Sequence, residues 1–311
     1  MSGGAIIATA AADRGTPPRP TGPSAAAPGT IPDGGPNGAP LEHAGRVAAA
    51  YLASADPLPA GAVHDIGDGD FRAIGAEFLR HFVTLGGLAP GDDVLDIGCG
   101  FGRMALPLAR FLAPQARYLG FDIVPEPVEW CRTHVAPLHP GFGFEHLDLR
   151  HPLYNPAGSL PADAGFLGRI PAPLGWRPSF VAAVSVFTHL ESAAMTRLLA
   201  EARAVLRPGG RVFLTAFLTG DGTPPADAAT RFPAAAWCRE GPLLALQGAP
   251  ATAAVGVPWD WLGEVMAGVG LRPERVAFGH WRGAGELGGP FGGALGGAAG
   301  DRPFQDVVVA R

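Results

Sequence analysis

The chain has 311 residues, 47% of them apolar, and a formal net charge of −5. That is ample apolar material for a globular core. No stretch approaches the roughly 20 apolar residues that span a bilayer, and no Lys/Arg cluster forms the basic stripe that clamps a long nucleic acid. Cys99, Cys131 and Cys238 fit no Cys-x-x-Cys or metal-ligand spacing, which points to free thiols in a reducing cytoplasm.

Residues 1–41 are mostly Ala, Gly, Pro, Ser and Thr. They bury too little surface to offset the entropy of ordering, so a disordered leader is expected there. Residues 42–311 read as one domain opened by a helical region over 42–90. Its helical patterns cover 41–53 and 71–85, and in the second Phe71, Ile74, Phe78, Leu79 and Phe82 share a face. From Asp93 onward short apolar runs alternate with helical patterns. Strands are expected at 94–97, 117–121, 142–147, 180–186 and 211–218. Between them lie a helix at 103–112, which Pro107 is expected to bend, a helix starting at Pro125, and a strongly periodic one carrying Met195, Leu198, Leu199, Ala202, Val205 and Leu206. Residues 219–257 break the pattern and read as a lid-like insertion. A helix at 259–267, a strand near 275–279, a glycine-rich loop at 283–300 and a strand at 304–310 complete the chain. Such alternation implies an α/β fold with a largely parallel sheet and helices on both faces.

The chemistry-bearing stretch is Val94-Leu95-Asp96-Ile97-Gly98-Cys99-Gly100-Phe101-Gly102-Arg103. A strand, a glycine turn and a helix N-terminus let backbone N–H groups approach a ligand closely. Arg103 stands where a dinucleotide fold places its third glycine, which counts against NAD. No Gly-Lys-Ser/Thr tail is present for a triphosphate. A carboxylate at Asp96 repels a pyrophosphate and suits an ammonium group. Arg103 itself is expected to be solvated on the first helical turn.

At these residues the chain resembles the class I S-adenosylmethionine-dependent methyltransferases, and the resemblance runs from about residue 70 to the C-terminus. It implies a doubly wound, Rossmann-like sheet, mostly parallel, with an antiparallel last strand at Gln305-Asp306-Val307-Val308-Val309. S-adenosylmethionine is then the cofactor. Gly98, Cys99, Gly100 and Gly102 form its turn, and Asp122 is placed on the ribose hydroxyls. Asp148 is placed near the adenine amino group, with Ile123 and Leu149 as apolar walls. Ser185 belongs to the stretch Ser185-Val186-Phe187-Thr188-His189-Leu190 that ends the fourth strand. Where family members often carry Asp early in that strand, this sequence reads Ser179-Phe180-Val181.

His189 is the candidate general base or pocket wall, beside the bland reading of a locally bonded helix-start histidine. His280 and Trp281 are weaker candidates for the same pocket. Glu145, His146, Asp148 and His151 crowd together without a standard metal spacing, so no metal is expected. The Asn/Asp-Pro-Pro-Tyr/Phe pattern of enzymes that act on base amino groups is missing. With the acidic balance, this favours a small-molecule or sugar-like acceptor over nucleic acid, with no membrane partner; the oligomeric state is left open. Two other readings remain: a cofactor-binding scaffold or regulator without catalysis, and an NAD(P)-dependent oxidoreductase.

Overall fold

The computed structural model describes residues 38–59, 69–166, 169, 176–220, 237–282 and 303–311. Most of the expected leader and the glycine-rich loop at 283–300 lie outside the described residues. Helix α1 (Gly38–Leu52) already includes the last residues assigned to the leader. Helix α2 (Phe71–Thr84) starts where Asp70 accepts the Ala73 N–H at 2.7 Å, a cap worth about 1 kcal/mol.

The parallel strands are β1 (Val94–Ile97), β2 (Tyr118–Asp122), β3 (Phe142–His146), β4 (Phe180–Ala183) and β5 (Arg211–Thr219). They lie in the order β3-β2-β1-β4-β5. Helices α3 (Ala105–Phe111), α4 (Pro125–His134) and α5 (Ser192–Val205) make the crossovers. Near the C-terminus come β9 (Pro273–Ala277) and β10 (Asp306–Ala310). Strand β10 runs antiparallel to β5, and β9 antiparallel to β10. The expected mostly parallel sheet with a reversed last strand is the observed one.

Successive side chains of a strand point to opposite faces, and here each face meets its own helical layer. Val94, Phe180, Phe213, Val307 and Val309 pack with α1 to α4. Leu95, Ile97, Val181, Val212, Leu214 and Val308 pack with α5 and with α6 (Trp259–Gly268). On the first face Phe82 of α2 meets Phe180 at 5.5 Å and Phe213 at 4.9 Å between ring centroids, both edge-on. Such pairs add roughly 0.5–1.5 kcal/mol beyond area burial, and they pin α2 to the centre of the sheet.

Four expectations need correction. Helix α3 starts at Ala105, so Pro107 falls in its first turn, where an N–H has no intrahelical partner in any case, and no bend is needed. Strand β4 stops at Ala183 because Ser185 adopts a left-handed backbone (φ 60°) that an extended strand excludes. The Asp missing from the fourth strand is supplied from another segment: Ser179 Oγ donates to Asp92 Oδ1 at 2.7 Å, and Arg207 and Arg211 close on the same carboxylate. Arg103 is half-buried, not solvated, with its guanidinium 5.8 Å over the Phe71 ring.

Within 219–257, the described residues form three strands: β6 (Trp237–Glu240), β7 (Leu243–Leu246) and β8 (Val255–Pro258). Strands β6 and β7 make a hairpin across Gly241 (φ 58°) and Pro242, the left-handed start that two-residue hairpins require. Strand β7 pairs with β8, which lies parallel to the last three residues of β5. The sheet is thereby prolonged past the point where β4 ends.

Candidate functional site

The carboxyl ends of β1, β2, β3 and β4 lie side by side, and at such an edge α/β sheets bind ligands. The turn after β1 is built on left-handed glycines, with φ of 73° at Gly98, 50° at Gly100 and 71° at Gly102. A Cβ at Gly98 would lie 2.6 Å from Val186 Cγ2, and one at Gly102 2.9 Å from Cys131 Sγ. Gly98 and Cys99 both donate their N–H to Phe121 O, at 2.9 and 3.0 Å. The turn is thus stitched to the end of β2 and touches the segment after β4.

Asp96 is 2% exposed and points to the α1–α4 face, where Tyr118 donates to its Oδ2 at 2.6 Å. Burial, above all, pushes its carboxyl up to about 7, and the nearby Asp122 charge adds to the rise. Asp122 itself is half-buried at the tip of β2. It accepts the Gly100 N–H at 2.8 Å on Oδ2 and the Val124 N–H at 3.0 Å on Oδ1. Burial raises this carboxyl too, against the lowering by those backbone donors. Each oxygen keeps a lone pair, so a vicinal diol can still be bound.

Cys99 turns inward. Its Cβ lies where a side chain at Gly120 would stand, and its thiol faces Cys131. Ile123, next to Asp122 in the chain, and Leu149, which packs on the α5–α6 face, are both half-buried. The ends of β2 and β3 are tied by Leu147 N to Asp122 O at 2.9 Å and by His146 Nε2 to Ile123 O at 3.2 Å. Asp148 differs from the other two carboxylates. Hydrogen bonds from Ser159 and Asn155 hold it down at about 2, with Ser159 N at 3.1 Å and Asn155 Nδ2 at 3.0 Å. It braces the 148–160 loop, and the rim of the site is formed from that loop.

Ser185 donates its N–H to Thr215 Oγ1 at 2.7 Å and its hydroxyl to Gln305 Oε1 at 3.3 Å. A non-glycine residue held left-handed costs on the order of 1 kcal/mol or more. These bonds hold it there, so the chain can turn sharply into Phe187–His189, a 3-10 turn.

His189 Nδ1 lies 3.0 Å from Thr252 O, in the loop before β8. A carbonyl only accepts, so the network assigns the ring proton to Nδ1 and leaves Nε2 with the lone pair. Burial lowers the affinity of this imidazole for a second proton below the usual histidine range. Tyr154 Oη lies 3.3 Å from Nε2, with its ring edge-on to the imidazole. His151 Nε2 donates to His189 O at 2.8 Å, and His151 Nδ1 accepts the Tyr154 N–H at 3.2 Å. Burial raises the Tyr154 phenol, and the charge of Asp122 raises it further. The phenol therefore sits within the field of the β2 carboxylate.

Of the other candidates, Trp281 is buried and donates to Asp306 Oδ2 at 2.8 Å in a small core with Phe217 and Phe304. His280 packs on Phe304. Glu145 pairs with Arg132, and His146 and His151 are engaged as described. Sequence reasoning missed Tyr154. The available signal was the three-residue spacing from His151, which returns the two rings to each other across a turn (centroids 4.9 Å apart, stacked).

Asp122 at the tip of β2 holds the glycine turn through the Gly100 N–H, and Asp96 lies buried within β1, an acidic set that suits a ligand with an ammonium and a diol and repels a pyrophosphate. The model of a methyltransferase domain matches residues 71–249, more than half of the chain. A demethylmenaquinone methyltransferase of Symbiobacterium thermophilum is 32% identical over 133 residues, 42% of this chain and 45% of that protein. An uncharacterised 37.1 kDa protein of a Streptomyces fradiae transposon is 34% identical over 125 residues, 40% of this chain and 30% of that protein. The chain thus spans less than half the length of these curated relatives. Among solved structures, the CcbJ methyltransferase of Streptomyces caelestis is 17% identical at a TM-score of 0.46, with 86% of this chain and 97% of that one covered. The glycopeptide N-methyltransferase MtfA bound to S-adenosyl-L-homocysteine is also 17% identical, at 0.47, with 80% and 94% covered. On the family match and the strand order, the chain belongs to the methyltransferase-domain family, within the class I S-adenosylmethionine-dependent superfamily.

Proposed function

We propose that this protein transfers the methyl group of S-adenosylmethionine to a hydroxyl or amine of a small-molecule or sugar-like acceptor. The observation that carries the reading is the glycine turn held by Asp122 after β1 and, after the neighbouring β4, a histidine whose Nδ1 bonds Thr252 O and whose second protonation is disfavoured by burial. The sulfonium supplies an already activated methyl. The work left to the protein is to hold the acceptor in line and to exclude water. In this reading Asp122 holds the ribose hydroxyls, Asp96 supports the turn and faces the ammonium through Oδ1, and Ile123 and Leu149 flank the adenine. His189 takes the acceptor's proton.

A small acceptor fits the net charge of −5, and the Symbiobacterium relative is named for demethylmenaquinone, not for a nucleic acid. Free Cys99, Cys131 and Cys238 suit a cytoplasmic setting, and no described helix is long and apolar enough to cross a membrane. Calorimetry with S-adenosylmethionine, with NADH as the control, tests the donor. Methyl-labelled donor incubated with a metabolite extract tests transfer. Binding of the sulfonium compound with label appearing in a small molecule is the expected result. Binding without transfer would favour the scaffold reading, and binding of NADH alone would refute the proposal.

A further inference from the structure

We propose that Tyr154 is a proton-relay residue: the acceptor's proton passes to its phenol oxygen while the phenol proton passes to Nε2 of His189. The inference rests on methyl transfer to a proton-bearing acceptor and adds the path that the proton takes. Tyr154 is 44% exposed, whereas His189 is mostly covered behind it, so an acceptor entering from solvent meets the phenol before the imidazole.

The geometry leaves one direction for the transfer. His189 Nδ1 is committed to Thr252 O, and its backbone carbonyl is held by His151 Nε2. Nε2 is the remaining ring atom able to gain a proton, and Tyr154 Oη lies 3.3 Å from it and 3.5 Å from Nδ1, to the side of the Nε2 lone pair. That contact is long for a hydrogen bond, as catalytic contacts often are before substrate closes the site. Tyr154 in turn is fixed by its N–H bond to His151 Nδ1 and by stacking on the His151 ring. Burial and, after it, the charge of Asp122 keep the phenol protonated at rest. The groups acting on the relay are therefore Tyr154, His151, Asp122 and the backbone of Thr252 and Ala253.

The step balances. As the acceptor oxygen or nitrogen forms its bond to the methyl carbon, the carbon–sulfur bond breaks and its electron pair stays on sulfur. The acceptor's proton moves to Tyr154 Oη, the phenol proton moves to His189 Nε2, and the imidazolium returns a proton to solvent. A high-affinity phenol that never rests as phenolate suits this role, because it gains and loses a proton together.

Nitrogen NMR of the full chain labelled in histidine reads the contact without turnover. The expected result is an Nδ1-protonated His189 whose Nε2 resonance moves toward the unbonded value in Tyr154→Phe while Nδ1 stays put. Thermal unfolding of that exposed-site variant is expected to match the parent. With labelled donor and the metabolite extract, Tyr154→Phe is expected to lower kcat roughly 100-fold at unchanged donor KM. Tyr154→Phe combined with His189→Gln should be no slower than His189→Gln alone, the sign of two groups acting as one unit. An Nε2 resonance unmoved by Tyr154→Phe, or multiplying losses in the double variant, would overturn the relay. A failure of S-adenosylmethionine to bind would instead refute the methyl-transfer reading, and the NMR result would stand apart from it.

Discussion

The two sides of the sheet edge are assembled in different ways. The proposed donor side, from β1 through the glycine turn to the tip of β2, comes from one continuous stretch, 94–124, in which Asp122 accepts two backbone N–H groups and Asp96 the Tyr118 hydroxyl. The acceptor side is gathered from three separated stretches. Tyr154 and His151 come from the loop after β3, Ser185 and His189 from the turn after β4, and Thr252 from the loop before β8. A continuous stretch can encode its site through local backbone conformation. A gathered one depends on the whole sheet being in register.

The sharpest break on the donor side is Gly98→Val. Left-handed φ costs an L-residue about 1–2 kcal/mol, and overpacking against Val186 adds about 1–3. A loss of roughly 2–5 kcal/mol is expected in urea unfolding, together with loss of S-adenosylmethionine binding in calorimetry. Unchanged stability would show that the turn is more adaptable than its contacts indicate.

Asp96 tests how far burial governs the donor side. Its ordinary value is 3.8 and its folded value about 7. Below 3.8 both states carry the proton; between 3.8 and about 7 only the folded state keeps it, so stability falls as pH rises. The slope reaches about 1.4 kcal/mol per pH unit. Asp96→Asn should flatten unfolding free energy against pH across that window, and a retained slope would assign it to another group.

A smaller effect is expected from Asp122→Asn, which keeps the shape and removes the charge. Loss of charge-assisted bonds to a diol is worth about 1.5–3 kcal/mol, so titration calorimetry should show weaker S-adenosylmethionine binding by roughly ten- to a hundredfold. An unchanged affinity would remove Asp122 from the ribose. The smallest effect belongs to Asp148, on the rim. Its folded value of about 2 lies below the ordinary 3.8, so what it adds to stability is present above 3.8 and lost as pH falls toward 2. Asp148→Asn should speed hydrogen exchange at the Ser159 amide with little change in global unfolding. A large global loss would contradict its exposed position.

The contrast also explains what could be read in advance. Glycines with an acid before them and another after the next strand announce the donor side, because each demand there is local: positive φ, a strand end, a backbone donor nearby. Tyr154 carried no such mark, since the geometry that gives it meaning lies 35 residues away at His189. The hairpin of β6 and β7 is not legible in the sequence because Trp237-Cys238-Arg239-Glu240 shows no clean alternation; its one buried residue, Trp237, packs on Phe217, Ala254 and Trp281 from distant segments. Ser179 looked like a departure from the family because its partner, Asp92, stands on another segment.

By itself, then, the sequence determined the alternation of strands and helices, the two-faced sheet and the glycine turn with Asp96 and Asp122. Periodicity, backbone conformation and turn chemistry act over a few residues and leave a direct imprint on residue order. Only the tertiary structure decided that β4 ends at Ala183, ahead of the left-handed Ser185, that β8 extends β5, and that Tyr154, His151, His189 and Thr252 form one network. Those outcomes depend on contacts between segments far apart in the chain, where burial and hydrogen-bond completion choose among pairings that local propensity leaves equal.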